Sequence, residues 1–208
     1  MNGKMRLLAF GIALVVGCTT RTGNIRFEGF YGERGMRDDT SFRCWRDGTL
    51  VRFRFVVRDD TVCSAPVVRH ERDLEDYDRV EVFFAPTADL TRPYCCIEID
   101  PSGRVLDYRA TFPRRMEYGW RAMSLRTQGR KTAGGYAVEG CLDLAELMAE
   151  GIDPDGFHFG AFRADYAPGG RLVDWYSACP PDGEPADFHR PVMFIPARLI
   201  ENDEETMK

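Results

Sequence analysis

An all-β fold, a two-sheet antiparallel β-sandwich with one short helix, is predicted by three observations on these 208 residues. Short segments alternate apolar and polar side chains with the period of a half-buried strand. Turn-forming Gly, Pro, Asn and Asp separate those segments at close intervals. Only one segment carries both the start and the stop signals of a helix. Many short strands joined by tight turns bury their apolar faces most simply as two packed sheets around one core.

The elements follow in order. A first strand is expected near Ile25. In Leu50–Arg58, Val51, Phe53, Phe55 and Val57 alternate with Arg52, Arg54 and Arg58, the pattern of a strand with a charged outer face. Val80, Val82 and Phe84 alternate with Glu81 and Phe83. Tyr94–Ile99 and residues 104–108 flank Asp100-Pro101-Ser102-Gly103, a tight-turn sequence that predicts a hairpin. Further strands are expected over 136–142, 157–164, 172–177 and 192–199. The helix lies between the first two of these: Asp143 is its expected cap, Glu146 the capping-box partner three residues on, and Gly151 the stop. No internal repeat or low-complexity segment interrupts the series, and residues 201–208 form an acidic tail.

The amino terminus reads as a processing segment. Lys4 and Arg6 precede an apolar run over 7–16 that is too short to span a bilayer as a helix. The run ends in Val15-Val16-Gly17-Cys18, which resembles the lipobox of bacterial lipoproteins. That resemblance implies a signal peptide over 1–17, a lipidated Cys18, a short linker over 18–24 and a domain over 25–200. It also implies a location at the bacterial cell envelope, tethered to the outer membrane and facing periplasm or surface. The linker reaches only about 20 Å when extended. Loss of Lys4 and Arg6 moves the formal charge from −5 to −7. No basic stripe argues for nucleic acid as a partner.

Six cysteines follow Cys18: Cys44, Cys63, Cys95, Cys96, Cys141 and Cys179. Their spacing contains no C-x-x-C zinc or redox motif. Cys95 and Cys96 are neighbours in an expected strand, so they point to opposite faces and cannot pair with each other. Most of the six are read as small buried hydrophobes.

Four stretches in order resemble the family 9 carbohydrate-binding modules, which belong with the DOMON-like sandwiches. They are Asp78-Arg79-Val80-Glu81-Val82-Phe83-Phe84, then Tyr94-Cys95-Cys96-Ile97-Glu98-Ile99, then Gly135-Tyr136-Ala137-Val138-Glu139, and finally Phe188-His189-Arg190-Pro191-Val192-Met193-Phe194. The resemblance runs from about Ile25 to Leu199 and implies a jelly-roll-like, DOMON-like sandwich that grips the end of a glycan between two aromatic rings. A pyranose has an apolar C–H face that packs on an aromatic plate, and hydroxyls that need fixed polar partners. Phe188 stands where the family places one clamp aromatic. The other clamp position is Glu75 here, with Tyr77 two residues on, so Tyr77 replaces it only if the loop is reshaped; Tyr118, Trp120 and Trp175 are alternative plates.

The expected sugar site therefore contains Phe188, Arg190, Glu98, Trp175, Tyr77 and Arg109, the last because the family's corresponding strand pair borders the sugar. Pro180, Pro181 and Pro185 stiffen the approach to Phe188, which reduces the entropy lost on binding. His189 and Pro191 are assigned to supporting the loop, His189 through a hydrogen bond to backbone. Phe188 has a competing reading as a core plug that closes the sandwich. Glu81, Glu98 and Glu139 have one as framework or solvated groups on strand faces.

Enzyme chemistry finds little support. The chain has no G-x-S-x-G elbow, no H-E-x-x-H and no Gly-rich phosphate loop. A glycosidase needs two facing carboxylates about 5–9.5 Å apart, a pair that sequence alone does not place. Asp38-Asp39, Asp59-Asp60 and Glu71-Arg72-Asp73 are acidic loop clusters; the resemblance implies structural calcium, and solvated loop charge is the simpler account. Haem, which some related sandwiches hold through Met and His, has no matching arrangement around His70, His158 or His189. No other cofactor is expected. The expected function is non-catalytic binding of a glycan or oligosaccharide end, serving glycan capture or breakdown. The competing class is an envelope structural or protein-interaction domain that has lost the sugar slot, with glycan hydrolysis a distant third.

Overall fold

A computed structural model describes residues 27–30, 37–179 and 186–199. Cys18, the expected leader and linker, Pro180, Pro181, Pro185 and the acidic tail lie outside the described residues. In chain order the strands are Phe27–Gly29 (β1), Arg37–Asp38 (β2), Ser41–Asp47 (β3), Leu50–Arg58 (β4), Arg79–Ala85 (β5), Tyr94–Ile99 (β6) and Val105–Thr111 (β7). They continue with Arg115–Glu117 (β8), Arg126–Thr132 (β9), Gly135–Asp143 (β10), Phe157–Ala167 (β11), Arg171–Ser177 (β12) and Ile195–Ala197 (β13). One helix, Leu144–Ala149 (α1), follows β10.

The strands form two antiparallel sheets. The large one has the order β2-β1-β12-β11-β5-β6-β7-β8, with β13 also paired to β11; the small one has the order β3-β4-β10-β9. The predicted sandwich is therefore the observed fold. Between the sheets lies one apolar core, to which β4 contributes Val51, Phe53, Phe55 and Val57, and β5 contributes Val80, Val82 and Phe84. The two sheets touch where β9 meets the turn of the β6–β7 hairpin. A Cβ on Gly129 would lie 2.3 Å from the backbone nitrogen of Gly103, so only glycine fits there.

A second core covers the opposite face of the large sheet. It contains Phe83, Tyr94, Cys96, Leu106, Tyr108, Phe162, Phe188, Met193 and Phe194. Both faces of β5 and β6 are thus buried, which an alternation read as apolar-inside and polar-outside does not anticipate. Cys95 joins the first core and Cys96 the second, on opposite faces as expected. All six described cysteines are free. Cys95, Cys96 and Cys179 are buried, and Cys44, Cys63 and Cys141 half-buried. Burial pushes the Cys44 thiol up to about 12, so it stays protonated.

Local expectations fared unevenly. The hairpin forms as predicted: Asp100 Oδ1 accepts from the backbone amides of Ser102 and Arg104 at 3.0 and 2.8 Å. The helix stops at Gly151, whose φ of +81° favours glycine. Its capping box does not form. Asp143 makes no side-chain cap bond, and Glu146 turns outward to accept from the backbone amides of Met123 and Ser124 at 2.6 and 2.9 Å. Residues 192–199 are not one strand but a 3₁₀ turn over Pro191–Met193 followed by β13. Pro191 and Pro196 lack the amide a continuous ladder needs. β9 was not expected because Arg126–Thr132 contains no apolar side chain; it exists because every residue of its register is paired to β10.

Candidate ligand-binding cavity

A cavity of about 290 Å³ opens on the covered outer face of the large sheet. β5 supplies Arg79 and Glu81, β6 supplies Glu98 and β7 supplies Tyr108. These strands are hydrogen-bonded neighbours, and Glu81 stands directly across from Glu98 in register. Trp175 enters from β12, Phe188 and His189 from the segment before β13, and Arg72, Glu75 and Tyr118 from the surrounding loops.

The floor is a buried ionic network. Arg79 Nε donates to Glu98 Oε2 at 2.7 Å and lies 3.0 Å from Glu81 Oε1 without the alignment of a hydrogen bond. One guanidinium therefore serves two carboxylates. Burial, followed by the neighbouring charge of Glu98, raises the Glu81 carboxyl to about 8 despite the opposing pull of Arg79. Glu81 thus holds a proton at neutral pH. Glu98 has both oxygens committed, because Tyr108 donates to Oε1 at 2.7 Å.

That donation fixes the state of His189. Since the Tyr108 hydroxyl hydrogen points to Glu98, its oxygen accepts from His189 Nε2 at 3.2 Å, and Nδ1 accepts from the Tyr94 hydroxyl at 2.8 Å. The ring stacks on Phe83, with centroids 5.0 Å apart. Burial, then the charge of Arg114, pushes its pKa down to about 3, so the imidazole is neutral. His189 holds its loop as expected, but through two tyrosine hydroxyls rather than a backbone group.

The remaining predicted site residues divide. Glu98, Trp175 and Phe188 line the cavity together. Phe188 is 4% exposed and stacks on Phe162 at 4.3 Å and 15°, so its ring is a core plug that shows one edge to the cavity. Arg109 lies outside the lining. It sits one residue out of phase with Tyr108, faces the other side of the sheet, and bonds Glu117 and Glu150 at 2.7 and 3.1 Å. Tyr77 packs half-buried against the second core, and Arg190 precedes the turn that Pro191 begins; neither lines the cavity. Trp120 is tied to Glu150 at 2.9 Å and packs against the first core, away from the cavity.

Arg79, Glu81, Tyr108 and Arg72 were not among the expected site residues. The signal for Arg79 and Glu81 is their i, i+2 spacing beside Phe83 on one strand face. At the position where the family resemblance implies an aromatic, Glu75 binds Arg72 through two bonds of 2.6 and 3.1 Å. Arg72 in turn lies 4.7 Å over the ring of Tyr118. The aromatic lining of the cavity is therefore Trp175, Tyr108, Phe188 and His189, with Tyr118 beneath the Arg72 guanidinium.

The structural calcium that the resemblance implies has one candidate cluster among the described residues. Asp59, Asp78 and Asp165 bring ligand oxygens within 4.8 Å of one another. Arg163 Nη2 already stands 3.0 Å from Asp59 and 3.4 Å from Asp165. Both oxygens of Asp78 accept backbone amides, from Tyr166 at 2.7 Å and Cys63 at 2.6 Å. Calcium needs six to eight open oxygens, and a guanidinium here supplies the positive charge. Asp73 caps the turn after His70, and Glu71 pairs with Arg121. An excess of chelator is accordingly expected to leave the melting temperature unchanged; a drop would mean that a cation binds the folded state.

No family model and no curated protein matches the chain. Solved structures do. A carbohydrate-binding module of family 9 from Caldicellulosiruptor kristjanssonii, solved with cellotriose, is 15% identical over 82% of this chain and 80% of its own, with a TM-score of 0.54. The same organism's family 9 module with glucose is 17% identical over 80% of each chain, at a TM-score of 0.51. A presumptive carbohydrate-binding protein from Bacteroides uniformis is 16% identical over 83% of this chain and 85% of its own, at 0.55. The chain has the fold of these proteins.

Proposed function

We propose that this protein, a sandwich with the fold of family 9 carbohydrate-binding modules, binds a sugar ring or glycan end in the cavity on its large sheet, without chemistry. The observation that carries the reading is the cavity itself, in which Trp175 offers an apolar plate beside the fixed polar groups Arg79, Glu81 and Glu98. Plates pack on the C–H face of a pyranose, and a buried acid held by its neighbours orients hydroxyls at little entropic cost. Glu81 retains a proton, as a glycosidase acid does. Its neighbour Glu98 has no free oxygen to act as nucleophile or base, so the arrangement favours binding over hydrolysis. A glycan array identifies the ligand, and Trp175→Ala should then weaken it by more than about 1 kcal/mol, or roughly fivefold or more, with the urea midpoint little changed. If the native protein captures no glycan, an envelope protein-interaction domain becomes the better account; the glutamate at the position of the second clamp aromatic favours that alternative.

The lipobox resemblance supports tethering of this domain to the envelope, where glycan capture would serve breakdown by neighbouring enzymes. Cys18→Ser should release the protein from the membrane fraction or leave its precursor uncleaved. Normal processing with full membrane retention would overturn the lipid anchor.

A further inference from the structure

The outer face of the small sheet carries a concentration of positive charge opposite in sign to the chain. Side chains two apart share a face, so the residues alternating with the core positions of β3, β4 and β9 face outward. They include Arg43, Arg52, Arg54, Arg58, Arg126 and Arg130. The carboxylates on the same face are Asp47, Glu139 and Asp143. Six arginines against three acids stand in a protein of formal charge −5.

The arrangement is not what stability alone would favour. Arg43 stands directly across from Arg54 in register, and like charges directly opposite in a sheet repel. Arg54 has Glu139 at 3.3 Å, and Arg52 pairs with Asp47, yet both arginine side chains remain 40% exposed. Trp45 lies across from Arg52 with the Arg43 guanidinium 5.4 Å over its ring. Arg126, Gln128 and Arg130 are exposed along the β9 edge. The sheet face thus offers guanidinium forks on three of its four strands, with one aromatic ring at the β3 edge.

From this we infer that the outer face of the small sheet binds an acidic polysaccharide, one bearing carboxylates on successive sugars. Each guanidinium presents two parallel donors that match a carboxylate, which a lysine surface does not. Trp45 adds a plate for a sugar ring at the β3 edge, beside Arg43 and Arg52. The face is distinct from the cavity, which lies on the far side of the large sheet, so the chain would hold a neutral sugar end and an acidic chain at separate surfaces.

The test is binding of polygalacturonate to the whole protein, compared with uncharged dextran and with vesicles of phosphatidylglycerol in phosphatidylcholine. The expected result is binding of polygalacturonate alone, weakened as salt shortens the screening length. Arg126→Ala with Arg130→Ala, both on an exposed edge, should reduce it about tenfold or more while leaving the melting temperature and any cavity ligand unaffected. Trp45→Ala should weaken polygalacturonate at constant charge. No binding by the native protein, or equal binding by the double variant, would show that the arginines only guard the sheet edge against pairing. Binding to the anionic vesicles without binding to polygalacturonate would overturn the inference in favour of a membrane surface. Loss of cavity binding in Trp175→Ala with polygalacturonate binding retained would separate the two sites.

Discussion

Phe188→Ala is expected to destabilise the fold by about 3–5 kcal/mol, the loss typical of an emptied aromatic core site. The ring is 4% exposed and touches three others: Phe162 at 4.3 Å, Trp175 at 4.9 Å and Phe30 at 5.6 Å. Its removal would open a void beneath the cavity and free the segment that carries His189. Urea denaturation monitored by tryptophan fluorescence measures the change, and Phe188→Leu should recover most of it because volume is largely kept. An unchanged midpoint for Phe188→Ala would mean that the ring is a ligand platform instead of a plug. The effects on binding and on folding are separable through Trp175, which lines the same cavity and is only half-buried.

Arg79→Met should cost about 3–5 kcal/mol near pH 8, because it leaves two buried carboxylates without their shared counter-charge. Glu81 and Glu98 are 2% and 5% exposed, so water cannot take over from the guanidinium. The penalty should shrink on acidification as Glu81 takes up its proton. In the native protein the sign runs the same way. Glu81 titrates near 8 when folded and near 4.3 when unfolded, so the folded state binds the extra proton between those values. Stability therefore falls as pH rises through that window. Asp78, raised to about 7 chiefly by burial, contributes in the same direction at lower pH. His189 acts oppositely: its folded pKa of about 3 lies below the unfolded value of about 6.5, so its contribution is lost as pH falls from 6.5 toward 3. Between about pH 7 and 8 the Glu81 effect adds to those of Asp78 and of the thiols that burial keeps protonated, so Glu81→Gln should reduce the slope there. A native protein whose melting temperature is flat over that interval would contradict the protonated state of Glu81.

Much of the site was legible in the chain, but its membership was not. Glu98, Trp175 and Phe188 were expected together and line one cavity. Arg109 is expected with them because the resemblance sets its strand pair beside the sugar; the side-chain period of two sends it to the other face. Glu81 was assigned no more than a framework role because an acid alternating with Val80 and Val82 reads as solvent-facing. It is buried because the segment around Phe188 and Phe194 folds back over that face of the sheet.

Local pattern determined the sandwich, the β4 strand to the residue, the β6–β7 hairpin and the helix stop at Gly151, because each depends on neighbouring residues and on the alternation of apolar side chains. Tertiary structure decided what local pattern cannot encode. β9 has no apolar residue and is a strand only because β10 lies beside it. The large sheet has two buried faces only because distant segments cover one of them. Glu81 keeps its proton only because pairing of β5 with β6 sets it across from Glu98 and the distant segment around Phe188 buries both. Burial and cross-strand proximity are set by where remote parts of the chain come to rest, and that is the physical reason a strand's sequence shows its alternation but not which face meets water.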